Sequence, residues 1–423
     1  MLDGLITVAR WDLMQRLRSR RLLVGWLIWV AVLVLLAGVV VYVGTAGTSQ
    51  STDRVKLVGP MVFGLTALLM LAFSLVVVPI FSASAIVAER ESATLATLQA
   101  TTLRPSQIVG GKLVSACVVA AGFMAGGIPA MVIAVVAGPM TVGRAAICLL
   151  VMYAEMVFLC AIALGWSAVA GRALISTVMT YLTVFTLTIV TLIAFTFLSL
   201  ATTTTQTFRY WRAPDAQLQV YAQQLDSYFT QHPNNDGTLA PAPPLDQCAW
   251  GTQTINDQTH TERYWWLLLA NPFVIVADAA PLPSWADGDI ETYSQDSGFD
   301  PLVMISYAVR SARLGEATVT DDCFTSSISI FNQDSDKQVF DITPNKDGSF
   351  TVSVWNDGFG DSRPTGPVVR PESPVPPHKV TVDTPLWPIG LAVHLVLAVL
   401  FFVIAVRRVS VPYGHLPKGQ RVA

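Results

Sequence analysis

The sequence predicts an all-α polytopic membrane protein with six transmembrane helices, and three observations carry that prediction. First, 52% of the 423 residues are hydrophobic and 13% are charged, whereas a soluble domain averages about 25% charged residues. The mean hydropathy is correspondingly high, at +0.53. Second, six segments are apolar over the roughly 17–25 residues that a helix needs to cross a hydrocarbon core of about 30 Å. Third, Lys and Arg gather at both ends of the chain and in the short connections on one side, the distribution that the positive-inside rule describes.

Along the chain, residues 1–21 place Leu2, Leu5, Ile6, Ala9, Leu13 and Leu17 at helical spacing, with Asp3, Thr7, Arg10 and Arg18 turned elsewhere. This predicts an amphipathic helix lying in the membrane interface. Residues 22–200 then hold five spans, Leu22–Val43, Leu57–Ile80, Leu113–Ala137, Ala145–Ala168 and Leu174–Leu200, and residues 386–406 hold the sixth, Leu386–Val406. The first span is too long for a signal-peptide apolar region and lacks a small-residue cleavage site. An even number of spans puts both termini on one face. Arg10, Arg16, Arg18, Arg20 and Arg21 precede the first span, and Arg407, Arg408, Lys418 and Arg421 lie in the tail 407–423. Both termini are therefore expected in the cytoplasm, in a multi-pass protein of the cell membrane.

The same orientation sends residues 201–385 outside, as a large α+β insertion between the fifth and sixth spans. This segment holds ten Lys and Arg against 23 Asp and Glu, a net charge of −13 where the whole chain carries −3. Gln217–Phe229 reads as a short helix, and Asp236–Asp246 as a Pro-rich linker. Tyr264–Ala277 is apolar but broken by Asn271-Pro272. A seventh crossing there would carry Arg407 and Arg408 outside, so residues near 264–280 are expected as re-entrant or interfacial helices. Ser326–Phe331, Gln338–Ile342 and Ser349–Trp355 alternate apolar and polar residues about an Asn345–Gly348 turn, which predicts a small hairpin or sheet. Arg363–Pro385 is Pro-rich and reads as an extended tether. Cys248 and Cys323, alone among the five cysteines in an oxidising compartment, are a candidate disulfide, while Cys117, Cys148 and Cys160 read as packing residues within spans.

The charged segment between the second and third spans is the strongest candidate for a functional element. Near residues 84–104 it carries Glu89, Arg90, Glu91, Thr94 and Arg104, with Leu95, Leu98 and Leu103 spaced as the apolar face of a short amphipathic helix suited to another protein's groove. Reaction chemistry is not legible anywhere. Gly110-Gly111-Lys112 lacks the first glycine, the hydroxyl residue and the preceding strand of a phosphate loop. The five histidines are scattered, so no metal site is expected. Two ionisable residues, Glu155 and His394, fall at mid-membrane depth. Such residues face protein or water and are either contacts along a pathway or neutral partners of a neighbouring helix.

The coupling segment resembles that of type-2 ABC exporter permeases: Glu89-Arg90-Glu91-Ser92-Ala93-Thr94-Leu95, then Leu98, Thr101-Thr102 and Ile108-Val109-Gly110-Gly111-Lys112. Ala93 stands where that family usually has Gly and Thr102 where it has Pro, and the similarity covers only the membrane portion. The resemblance implies that ATP and Mg are bound by a separate cytoplasmic ABC ATPase subunit, with no cofactor in this chain. It also implies a second permease chain, identical or related, and contacts with membrane lipid but not nucleic acid. In that family the segment near 84–104 is a cytoplasmic coupling helix pushed by the ATPase. The alternative expectation is an envelope receptor or assembly scaffold acting through its outer domain, and a membrane enzyme is the least supported.

Overall fold

The computed structural model describes residues 2–18, 20–46, 52–92, 103–138, 142–232, 237–280, 300–323, 340–344, 350–355, 362–365, 367–369, 372–375 and 384–410. They divide into two compact units. The first comprises Met1–Ser199, Thr261–Leu314 and Val380–Ala423; the second comprises Leu200–His260 and Gly315–Lys379.

The first unit is helical. Helix α1 (Leu2–Leu17) leads to α2 (Arg20–Ala46), α3 (Thr52–Ser82), the short α4 (Val87–Glu91), α5 (Pro105–Ala125), α6 (Ile128–Ala137) and α7 (Val142–Val169). Then follow α8 (Ala173–Phe185), a π-helical turn (Thr186–Val190) and α9 (Thr191–Ala201). Six stretches among the described residues are long and apolar enough to cross a membrane: Leu23–Gly44, Val58–Glu91, Pro105–Ala137, Val142–Val169, Ala173–Ala201 and Trp387–Val409. Each overlaps one of the six expected segments, but the second runs past the expected end at Ile80 to Glu91 and the third begins at Pro105 rather than Leu113. The third is interrupted at Gly126-Gly127, because Pro129 at the start of α6 has no amide hydrogen to continue the ladder.

The fourth and fifth spans differ in environment. In α7, 61% of the apolar window is buried, against 11% in the α8–α9 stretch. Leu33, Ala37, Phe63, Met70, Leu71, Cys148 and Met152 form the main core with residues of α5 and α6. By contrast, Leu174, Leu182, Leu192, Phe197 and Leu200 are exposed along the fifth span, as lipid-facing or partner-facing side chains would be.

Helix α1 does more than lie at an interface, since Val8, Ala9 and Asp12 are buried against α5. Gly111 permits this approach: a Cβ there would stand 2.7 Å from Val8 Cβ and 2.9 Å from the Leu5 carbonyl. The Gly110-Gly111 pair, which fails as a phosphate loop, thus serves helix packing.

Residues Thr261–Leu314, part of the long insertion in sequence, pack with the membrane helices. A 3-10 helix (Trp265–Ala270) stops at Asn271-Pro272, and α11 (Pro272–Ala279) follows. The expected break is therefore present. Asn271 Oδ1 caps α11 by accepting from Phe273 N at 3.0 Å. Val274, Ile275, Val276 and Ala277 are all buried, so α11 is a core element of this unit. Helix α12 (Pro301–Leu314) packs on α11, and the sixth span is α13 (Trp387–Val409). Buried ion pairs tie these elements together. Arg144, in the first turn of α7, donates to Asp300 at 2.7 Å, just before α12. Asp278 in α11 accepts from Ser306 Oγ at 2.9 Å and Arg310 Nε at 2.7 Å, and from the Leu386 and Trp387 amides at 2.6 and 2.9 Å. The last two are orphan donors at the start of α13, satisfied by a carboxylate where the helix dipole favours one.

The second unit is α+β. Strands β1 (Thr204–Arg212), β2 (Ala249–Gln258) and β3 (Val319–Asp321) form a sheet in the order β2-β1-β3, with β1 antiparallel to β2 and parallel to β3. Strands β1 and β2 are not expected from the sequence, because their residues are mostly exposed and carry no alternating apolar signal. Helix α10 (Asp215–Gln231) contains the expected Gln217–Phe229 helix and buries Tyr221, Leu225 and Tyr228, which share one face. A second sheet has the order β4-β5-β6 from Phe340–Pro344, Phe350–Trp355 and Ser362–Pro364. Its first two strands pair antiparallel, as expected for the hairpin, and Ser326–Phe331 and the Asn345–Gly348 turn lie outside the described residues. The start of the expected tether is the strand β6.

Cys248 and Cys323 are joined by a disulfide across 75 residues, next to buried Ala213, Leu245, Val352 and Val368. A crosslink closing so long a loop removes substantial entropy from the unfolded chain. Replacing both cysteines with Ser is expected to destabilise this unit by about 2–4 kcal/mol. Limited proteolysis of the full chain should then cleave within 200–260 or 315–379 at protease levels that spare the oxidised wild type.

Candidate functional site

The charged segment after α3 is built from short-range capping and long-range ion pairs. The turn at Ala83–Ile86 ends α3, and the amides of Ile86 and Val87 both donate to Ser167 Oγ in α7, at 3.0 and 3.1 Å. The Ser176 hydroxyl of α8 donates to the Ala83 carbonyl at 2.5 Å. Thus α4 starts from a turn already fixed to the fourth and fifth spans.

Each charge of the Glu89-Arg90-Glu91 run then meets a different element of the same chain. Lys112 Nζ in α5 stands 2.6 Å from Glu89 Oε1 and is almost completely buried. Arg90 donates to the Ala168 and Ala170 carbonyls at 3.3 and 3.4 Å, covering acceptors at the C-terminal end of α7. Glu91 Oε1 accepts from the Ala173 amide at 3.1 Å, at the N-terminus of α8. Asp12 of α1 completes the cluster, with Arg16 Nε at 2.9 Å, Lys112 Nζ at 3.9 Å and the Ser115 hydroxyl donating to it. Arg16 also donates to the Phe81 carbonyl at 3.0 Å, at the end of α3. One connected polar cluster therefore links α1, α3, α4, α5, α7 and α8.

The structure brings Glu89, Arg90 and Glu91 together in this way, with Glu89 and Arg90 half-buried and Glu91 exposed at the start of α8. Arg104 is placed apart from the cluster: it precedes α5 with an exposed side chain, and its amide donates to Gln107 Oε1 at 2.8 Å. Thr94, Leu95 and Leu98 lie outside the described residues. Sequence reasoning overlooked Asp12, Ser167 and Ser176. Only Asp12 left a signal, four residues before Arg16 on one helix face; a lone Ser in a long apolar helix leaves none.

The second constellation lies in the apolar part of the bundle. His394 of α13 and Glu155 of α7, 239 residues apart, meet at 2.6 Å between Nδ1 and Oε2. The other ring nitrogen, Nε2, stands 3.0 Å from the Ala270 carbonyl at the end of the 3-10 helix. Next to it, Asn271 Nδ2 donates to the Thr188 carbonyl in the π-turn at 2.8 Å. The two intramembrane residues singled out from the sequence are therefore each other's partner. Among the described residues no group of His, Cys, Asp and Glu is arranged to hold a metal ion.

Six stretches long and apolar enough to cross a membrane, among the described residues, define a multi-pass membrane protein. The chain matches the family described as ABC-2 family transporter protein over residues 6–273, from α1 to the beginning of α11. It belongs to that family and is thereby a membrane component of an ABC transporter, of a kind that is not itself catalytic. No curated protein matches the chain.

Proposed function

We propose that this chain is the permease subunit of an ATP-driven exporter of the cell membrane, working with a separate cytoplasmic ATPase that binds ATP and Mg. In this reading two permease chains, identical or related, surround the pathway, and both termini are cytoplasmic. Residues 84–104 form the element on which the ATPase pushes. The observation that carries the reading is the three-way attachment of Glu89, Arg90 and Glu91 to α5, α7 and α8. A segment held to three spans through charge-assisted bonds cannot shift without moving them, so force applied there reaches the bundle as a rigid-body displacement. The basic flanks Arg10–Arg21 and Arg407–Arg421 support the orientation. The exposed apolar side chains of α8 and α9 suit a second permease chain or lipid.

The test is co-expression with candidate ABC ATPase subunits from the same genome. Leu95→Asp places a charge on the proposed docking face and leaves Glu89, Arg90 and Glu91 unsubstituted. It is expected to abolish co-purification of the ATPase while the permease itself remains folded and monodisperse. Undiminished recovery of the ATPase with Leu95→Asp would overturn the assignment of this segment.

A further inference from the structure

The fifth span carries a π-helical turn, Thr186–Val190, between α8 and α9. Each hydrogen bond of such a turn spans one residue more than an α-helical bond. The turn therefore absorbs an extra residue, and α9 continues as though that residue were absent. The two halves of the span are held unequally. In α8, the Ser176 hydroxyl donates to the Ala83 carbonyl, the Tyr181 hydroxyl donates to the Val76 carbonyl at 2.8 Å, and the Thr183 hydroxyl accepts from the Trp166 indole at 3.0 Å. These bonds tie α8 to α3, to the turn after it and to α7. Helix α9, by contrast, buries only Ser199. A change of register in the turn thus moves α9 and leaves α8 in place.

A side chain from outside the span fastens the turn. Asn271 Nδ2 donates to the Thr188 carbonyl at 2.8 Å and reaches the Thr191 hydroxyl at 3.4 Å. The asparagine is itself held on both sides: its Oδ1 accepts from the Phe273 amide at 3.0 Å, and the preceding carbonyl, of Ala270, stands 3.0 Å from His394 Nε2. It is 5% exposed, so the bond to the turn is made away from water. The hydroxyls of Thr186, Thr188 and Thr191 donate to the Leu182, Val184 and Leu187 carbonyls of their own span at 2.8, 2.8 and 2.9 Å, and these bonds do not attach the turn to the rest of the bundle.

We propose that the π-turn is a register switch in the fifth span and that Asn271 is its latch, the side chain that holds the π form. With the latch released the turn closes into an α-helix, and α9 rotates by about 100° and advances by about 1.5 Å, the step of one residue. Each residue of α9 then stands where its successor stands in the π form. Exposed Ile193 and Phe197 take the half-buried places of Ala194 and Leu198, and Ser199 turns out to the exposed place of Leu200. The step is discrete because the two registers are separate packings of the same helix. The inference concerns this chain alone and does not rest on the ATPase partner or on export.

The test is a cryo-electron microscopy map of the full chain in lipid nanodiscs, aligned with a bound antibody fragment. Asn271→Ser keeps a capping oxygen for Phe273 but is too short to reach Thr188. The wild type should show the π-turn. Asn271→Ser should show a continuous α-helix through 186–190, with the Phe197 ring in the wild-type position of Leu198. A second variant combines Asn271→Ser with deletion of the exposed Ile189. It removes the extra residue, so the helix should stay continuous while Phe195 and Phe197 return to their wild-type places. An intact π-turn in Asn271→Ser would overturn the proposal, and so would a rotated α9 in the deletion variant. If Asn271→Ser alone does not fold, deleting Ile189 should restore folding by returning the wild-type faces of α9; failure of both variants to fold would also overturn the latch.

Discussion

Asp278→Ala is expected to be the most destabilising single substitution in the helical unit. The carboxylate is buried and accepts from four donors, two on α12 and two at the first turn of α13. Its removal takes the carboxylate from the buried Arg310 guanidinium, which is itself 7% exposed. Breaking a buried pair by removing one partner costs about 3–5 kcal/mol. Two helix-terminal amides lose their cap as well. Asp278→Asn retains one acceptor oxygen and should lose distinctly less. The measurement is the thermal midpoint of the detergent-solubilised full chain, which should fall by several degrees for Ala and less for Asn. An unchanged midpoint in Asp278→Ala would mean that α11, α12 and α13 are held by apolar packing alone.

Lys112→Met is expected to weaken coupling as well as to lower stability, because Glu89 and Asp12 both lose their buried ammonium partner. The ammonium is the common partner of Glu89 in α4 and Asp12 in α1, and its stem runs through the apolar face of α5. Methionine fills most of that stem volume, so packing is largely kept. What is lost is the charge that ties the proposed coupling element to the third span. In the reconstituted complex with the ATPase, hydrolysis stimulated by the permease should fall about tenfold, within the range of coupling free energies between linked sites. Binding of the ATPase should persist, since Lys112 points into the bundle. A double variant that also carries Glu89→Gln removes the carboxylate that lost this ammonium and should recover part of the stimulation. Full activity in Lys112→Met would show that force does not pass through this pair.

Much of the fold was readable from contiguous sequence. The six apolar segments, the N-terminal helix, the break at Asn271-Pro272, the helix around Tyr221–Tyr228 and the hairpin of β4 and β5 each rest on a local signal: apolar length, a 3.6-residue period, a proline or strand alternation. The edges of the insertion were harder. Nothing local distinguishes Thr261–Leu314, which belongs with the membrane helices, from the flanking segments that form a separate unit. Strands β1 and β2 went unseen because they are rich in Thr, Gln and Arg and bury only one residue each, and so carry no binary pattern. Their stability comes from cross-strand pairs such as Trp211 with Trp250, whose rings lie 5.4 Å apart, and from Arg209 over the Trp250 ring.

The functional residues divide along the same line. The sequence by itself determined where charge stands against the apolar background: Glu89, Arg90 and Glu91 beside a span, and Glu155 and His394 within spans. Only the tertiary structure decided what each charge does. It attached the Glu89–Arg90–Glu91 run to α5, α7 and α8, and it brought Glu155 to His394 across 239 residues of chain. The physical reason is that the free energy of membrane insertion is a sum over neighbouring residues and can be read from any window of the chain. Hydrogen bonds and ion pairs act only over a few ångströms between atoms, and which atoms come that close is settled by how the helices pack.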